Sequence, residues 1–321
     1  MKCHRYILLP FLMLIVSCSK NPTPEESVEP RVADYIRVMI SIMRNNSINK
    51  YYIDWVEFEK QVLAEARGKA DIFEINDALV KALELLGDDE SYIIRADGTR
   101  LTASTANCGV SSIATLDIPE NIGYIQVPSL TDTDTDSVLA YVNSIQESIR
   151  NQDSENIIGW VVDIRNNNEG SFWPMLVAVG PILGEGTWGF LINADRENRA
   201  WSLRNGEAVL NDAIQFEIDN NYVLLNPNPR TAVLLNGAVR KSAEALAVSF
   251  AGRENTRSFG QETCGFTTNG QSFRIRFDDF LFMPTENMVD SNLNIYKGAV
   301  VPDIITTDQN IAPEVIDYLM N

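Results

Sequence analysis

The residues best placed to do chemistry begin at Lys241, where Lys241-Ser242-Ala243-Glu244 opens an apolar run that continues to Phe250. A serine beside a lysine can serve as nucleophile and base, because a lysine held in apolar surroundings gives up its proton more readily. After Cys108 the only lysines are Lys241 and Lys297, so Ser242 activated by Lys241 is the dyad open to this part of the chain. Adjacent residues at a helix start point about 100° apart, which opposes the geometry that such a dyad needs. Histidine chemistry is excluded more firmly. The only histidine is His4, inside an apolar N-terminal segment. A mature chain without it has no Ser-His or Cys-His mechanism and no imidazole ligand for a metal.

That N-terminal segment has Lys2 and Arg5 ahead of an apolar run from Tyr6 to Val16. Its charge and length read as a secretory signal over residues 1–17, too short for a membrane span. The run ends Ile15-Val16-Ser17-Cys18, which resembles a bacterial lipoprotein signal and implies that Cys18 becomes a lipidated N-terminus. Several acyl chains, at about 0.8 kcal/mol per buried CH₂, hold a protein on a membrane far better than one does. Residues 18–31 are polar and rich in proline, a tether that cannot bury a core. Without Lys2 and Arg5 the chain carries 24 basic and 44 acidic side chains, a formal charge of −20. Nucleic acid and anionic lipid surfaces are poor partners for it. Cys108 and Cys264 remain, and an exported setting permits them to pair.

The elements that must position Lys241 follow from apolar spacing. Val32, Ile36, Met39, Ile40 and Met43 predict one helix, Phe58, Val62 and Ala66 a second, and Leu79, Ala82, Leu83 and Leu86 a third. Asp54 with Glu57 reads as a cap for the second, and Gly87 as the stop of the third. From Gly109 the pattern changes. Ile122 to Val127 alternates like a strand, Ser137 to Arg150 is helical, Ile157 to Ile164 is nearly all apolar, and Thr231 to Leu235 repeats that theme before the helix at Glu244. Alternating strands and helices predict an α/β core with its ligand site at the carboxyl ends of the strands. The expected organisation is a helical subdomain over residues 32–88 and an α/β core over 89–321.

Several segments then point to one family. Asn236-Gly237-Ala238-Val239-Arg240-Lys241-Ser242-Ala243-Glu244-Ala245 resembles the nucleophile segment of the tail-specific, C-terminal processing serine peptidases, in the tricorn-like branch whose loop reads Thr-Ala-Ser-Ser-Gly-Glu-Ala. Gly159 to Arg165, Phe172 to Leu176, Gly180 to Gly186 and Gly298 to Asp303 are similar to its central strand, the segments after it and its closing motif. The resemblance implies a crotonase-like β-β-α spiral core. About 20 residues after Ser91 leave no room for the PDZ domain found elsewhere in the family.

The resemblance also implies where chemistry should sit, and three of those places are altered. Lys241 holds the position of the catalytic serine. Glu90 stands where the branch has histidine, and Asn166-Asn167-Asn168-Glu169-Gly170 replaces glycines of the oxyanion loop. Phe266 occupies the place of the lysine used by the other branch. Glu169 is expected to set a negative charge against an oxyanion site, opposing transition-state stabilisation. Glu90 and Lys241 are expected to meet as an ion pair.

The reading that follows is a lipid-anchored, catalytically lapsed peptidase-like protein of the bacterial envelope. The outer membrane is its expected anchor, with a periplasmic or surface-exposed body. Its implied partners are a peptide or protein segment in the former active-site cleft, and the membrane through its acyl chains; no cofactor or metal is implied. The alternatives are a working peptidase using Ser242, or a structural subunit of an envelope complex. Trp160, Trp173, Phe190 and Trp201 read as core, Asp132, Asp134 and Asp136 as a solvated loop, and Arg230, Arg240, Arg253 and Arg257 as partners of the surplus acids.

Overall fold

The computed structural model describes residues 27–321 apart from 105, 107 and 111. The expected signal, Cys18 and most of the tether lie outside the described residues. Three helices come first: α1 (Pro30–Asn46), α2 (Trp55–Glu65) and α3 (Asn76–Leu86). The apolar positions that predict them are buried, from Val32 to Met43 in α1 and from Leu79 to Leu86 in α3. Asp54 caps α2 by accepting from the amides of Val56 and Glu57, which occupies two donors that a helix start leaves without partners. α3 stops at Gly87, whose φ of +70° is a left-handed conformation open to glycine at little cost.

The chain continues through β1 (Tyr92–Ile94), β2 (Arg100–Thr102), β3 (Ile122–Gln126), α4 (Thr135–Gln152), β4 (Gly159–Asp163), α5 (Phe172–Ala178) and α6 (Gly180–Leu183). It then forms β5 (Gly186–Asn193), β6 (Asn198–Arg204), β7 (Glu207–Leu210), β8 (Ala213–Glu217), β9 (Arg230–Leu235) and α7 (Ser242–Ala251). Last come β10 (Thr256–Gly260), β11 (Thr268–Arg274), β12 (Phe280–Asp290), β13 (Ile304–Ile305) and α8 (Ile311–Met320). The fold is mixed α/β.

One sheet is parallel, in the order β13-β10-β9-β4-β3. Every residue of β4 is buried. Val161 packs with Ile311, Val315 and Leu319 of α8 on one face, while Trp160 and Val162 join the cluster of α5 and α7 on the other. Burial from both sides explains the continuous apolar run in the sequence.

The other sheet is antiparallel, in the order β2-β1-β12-β5-β6-β7-β8, with β11 also paired to β12. Sequence reasoning does not foresee it. Register shifts break the alternation near Gly189 and between Asn269 and Gly270, and a bulge of this sort moves successive side chains off the two-residue repeat. The first three helices pack on this sheet, sharing a cluster with Ile93 of β1 and Leu281 and Met283 of β12. Under that contact the buried Asp279 accepts from the Tyr35 hydroxyl at 2.5 Å and pairs with Arg95 at 2.9 Å.

Cys108 and Cys264 form a disulfide, with Cα atoms 5.6 Å apart and a sequence separation of 156. Replacing both by serine is expected to lower the free energy of unfolding by about 2–4 kcal/mol, because the open chain regains the entropy of the closed loop. Urea unfolding of the oxidised protein beside the double variant measures this, and coincident curves would show that the bond restrains nothing.

Candidate functional site

Three loops meet at the carboxyl ends of β3, β4 and β9, where an open parallel sheet commonly places its ligand. The asparagines of the β4 loop tie them together. Buried Asn167 donates through Nδ2 to the carbonyls of Val127 at 3.0 Å and Pro128 at 3.1 Å. Asn166 donates its amide to Asn236 Oδ1 at 3.0 Å and accepts from Asn236 Nδ2 at 2.9 Å. Arg240 Nε donates to the Asn168 carbonyl at 2.7 Å. Asn166 has a φ of +62°, a left-handed conformation that asparagine tolerates better than most side chains.

The β9 loop delivers Lys241 to the start of α7. Its φ of +54° and ψ of −111° are sparsely populated for a residue with a Cβ, and such a conformation costs about 1–3 kcal/mol unless its surroundings impose it. Glu244 imposes it. This carboxylate is fully buried and takes four donors: the Lys241 amide and the Phe266 amide at 2.8 Å, the Gly265 amide at 2.7 Å and the Thr263 hydroxyl at 2.5 Å. Burial pushes its pKa up, and the four hydrogen bonds pull against that.

Ser242 does not join Lys241 in a dyad. Its hydroxyl donates to the Gly170 carbonyl at 2.6 Å, and no hydrogen bond links it to the lysine amine among the described residues. An acceptor, not a donor, therefore faces Ser242 from the loop expected to form an oxyanion site. Glu169 is exposed, and its carbonyl accepts from the Leu130 amide at 3.3 Å. Its side chain is not on the walls of the cavity beside Lys241. Asn168 lies between them, its amide on the Ser129 hydroxyl at 3.0 Å.

Lys241 and Ser242 open onto a cavity of about 400 Å³ whose walls include Glu90, Phe172, Trp173 and Thr268. Glu90 is aimed there by the turn after α3, where Asp88 accepts from the amides of Glu90 at 3.0 Å and Ser91 at 2.6 Å. The expected ion pair between Glu90 and Lys241 is not made: no contact within 4.0 Å joins them. The Glu90 carboxylate accepts instead from the Thr268 hydroxyl. The Lys241 amine lies 5.9 Å from the centre of the Phe282 ring and 6.0 Å from that of Phe266, within reach of the ring quadrupoles.

Electrostatics follow from this arrangement. Desolvation raises the Glu90 pKa to about 7, with Thr268 and Lys241 opposing the rise. Desolvation lowers that of Lys241, although the residue as a whole is exposed, while the charge of Glu90 raises it. Glu90 and Thr268 also belong to a second cavity of about 490 Å³, lined by Tyr51, Tyr52, Arg196 and Lys297, so a continuous cleft runs past Glu90.

The sequence model of peptidase family S41 matches residues 121–306, more than half of the chain. The chain belongs to peptidase family S41. This is the tail-specific, C-terminal processing family that its segments resemble. The nisin-resistance protein of Lactococcus lactis subsp. lactis is 25% identical over 282 residues, covering 88% of this chain and 85% of that one. Among solved structures, a lipoprotein from Streptococcus agalactiae superposes with a TM-score of 0.66 at 19% identity, covering 92% of this chain and 98% of its own. The photosystem II D1 C-terminal processing protease does so with a TM-score of 0.57 at 13% identity, covering 90% of this chain and 97% of its own. Both share the fold.

Other expectations need adjustment. Arg230, Arg240, Arg253 and Arg257 enter no ion pair within 4.0 Å among the described residues. Arg253 is buried on the carbonyls of Leu183, Pro229 and Glu254, and Arg230 and Arg257 flank the Tyr318 ring. Asp134 caps α4 through the Ser137 amide. Trp160 and Trp201 are core, but half-buried Trp173 faces the cavity. Thr268 and Phe282 were missed. Both lie on strands that the alternation did not reveal.

Two outcomes test the site. Glu244→Gln exchanges a charged acceptor for an amide whose NH₂ confronts other donors, and is expected to cost about 2–4 kcal/mol in urea unfolding; a smaller loss than a surface substitution would show that the turn is held elsewhere. For Glu90, a folded pKa near 7 against an ordinary 4.5 means that ionisation opposes folding. Stability should fall as pH rises through that window, on the order of 1–2 kcal/mol after allowance for solvent, and Glu90→Gln should abolish the fall. Parallel pH dependences for the two proteins between pH 5 and 8 would contradict this.

Proposed function

We propose that this chain is a lapsed peptidase of its family that binds peptide or protein segments in the former active-site cleft without cutting them. The observation that carries the reading is the turn at Lys241: an ammonium stands at the strained position of the nucleophile, and the neighbouring hydroxyl is committed to a backbone carbonyl. The chain's single histidine lies in the expected signal, so no imidazole replaces the missing base. Family membership supports peptide or protein as the ligand class.

The same reading places the protein on the cell envelope, anchored through acyl chains on Cys18. A neighbouring structure described as a lipoprotein and a relative named for resistance to nisin fit that setting. It also divides the described chain into a helical unit ending at residue 88 and a core with the β-β-α spiral of the crotonase type.

The test is intact-mass analysis of the soluble mature domain after treatment with a fluorophosphonate, beside Ser242→Ala. No adduct is expected on either protein. Stoichiometric labelling lost in the variant would instead return the chain to the working peptidases, with Ser242 as nucleophile.

A further inference from the structure

The substitution at the nucleophile does more than remove a reaction. In a chain of formal charge −18, rich in acids to neutralise it, the Lys241 amine has been left without an anionic partner within 4.0 Å among the described residues. The nearest carboxylate across the cavity, that of Glu90, is engaged by Thr268. Burial also raises its pKa, so that its negative charge is only partial near neutrality. The charges of Arg240 and Arg100 bear on the same amine and add positive potential. α7 starts at Ser242, and the positive end of its dipole contributes in the same sense, opposed in part by the buried Glu244 carboxylate in its first turn. The remaining walls are apolar or neutral, from Phe172, Trp173, Phe282, Met288 and Asn269 among others, and offer no anion.

We propose that Lys241 is a specificity-determining residue that receives a carboxylate of the bound peptide, so that the cleft selects for an acidic group at the place where the family performs its chemistry. The proposal rests on the reading that the cleft binds peptides. Its physical basis is charge complementarity: a partly desolvated ammonium gains from a carboxylate what it lacks from the protein, and a charge-assisted hydrogen bond between the two is about twice as strong as a neutral one. That carboxylate can be a Glu or Asp side chain or a free C-terminus, since both present the same two oxygens.

The experiment uses the mature chain and three matched libraries of octapeptides labelled at the N-terminus with an uncharged boron-dipyrromethene dye: a C-terminal amide without acidic residues, the same sequences as free acids, and the same sequences amidated with one Glu. Fluorescence anisotropy on the wild type should show at least one carboxylate library binding about tenfold or more tightly than the neutral amides, an advantage that added salt weakens. Lys241→Met should reduce it to within about twofold, and Lys241→Arg should keep most of it. The two acidic libraries distinguish side chain from terminus. Equal binding of all three to the wild type, or an advantage that survives in Lys241→Met, overturns the proposal and leaves peptide binding standing. Failure of every library on a folded wild type overturns both readings. Because Lys241→Met could disturb the turn, its thermal unfolding is measured beside that of Lys241→Arg.

Discussion

One buried carboxylate holds the cleft in shape. Glu244 has no cation beside it among the described residues, yet it is fully buried, which is tolerable only because four hydrogen-bond donors replace the water that it has lost. Two of those donors belong to residues 265 and 266, and a third is the amide of Lys241 itself. A single side chain therefore clamps the strained turn to a loop that arrives from a different part of the sequence. The disulfide reaches the same loop at Cys264, whose amide donates to the Val239 carbonyl at 2.8 Å. The cost of the strained turn at Lys241 is met by packing and by these hydrogen bonds.

Around that clamp the architecture divides the labour. The parallel sheet brings three loops to one edge, and the asparagines among them consume backbone donors and acceptors that would otherwise be left exposed in the cleft floor. The antiparallel sheet supplies Thr268 and Phe282, and the turn after α3 supplies Glu90. No one of these units contains the site. Glu90 and Lys241 stand 151 residues apart in the chain.

Much of this was legible in the residues. Helical spacing located α1 to α3, and the apolar run at Ile157 located the central strand. What could not be read were features set by long-range contact. The family resemblance and their opposite charges suggested that Glu90 and Lys241 should pair, but a threonine on β11 and two phenylalanine rings engage them instead. Arg253 is held by backbone carbonyls, and Arg230 and Arg257 flank the Tyr318 ring, so these contacts, set by the fold, take the place of the ion pairs that charge suggested. The antiparallel strands escaped notice because bulges and half-exposed faces erase the two-residue pattern.

The bond between Cys108 and Cys264 also governs how the molecule would bear a load. Residues 109–263 form a covalent ring that encloses β3, β4, β9, β10 and α7, whereas the first three helices, β12 and α8 lie outside it. Tension applied at the N-terminal end would peel the helices and the short β1–β2 pair, then meet Cys108 and cross directly to Cys264. The strand and helix that flank Lys241 are bypassed, whereas Glu90 lies ahead of Cys108 and Thr268 and Phe282 lie beyond Cys264, so pulling on the leading end would draw Glu90 away from a turn at Lys241 that the ring shields.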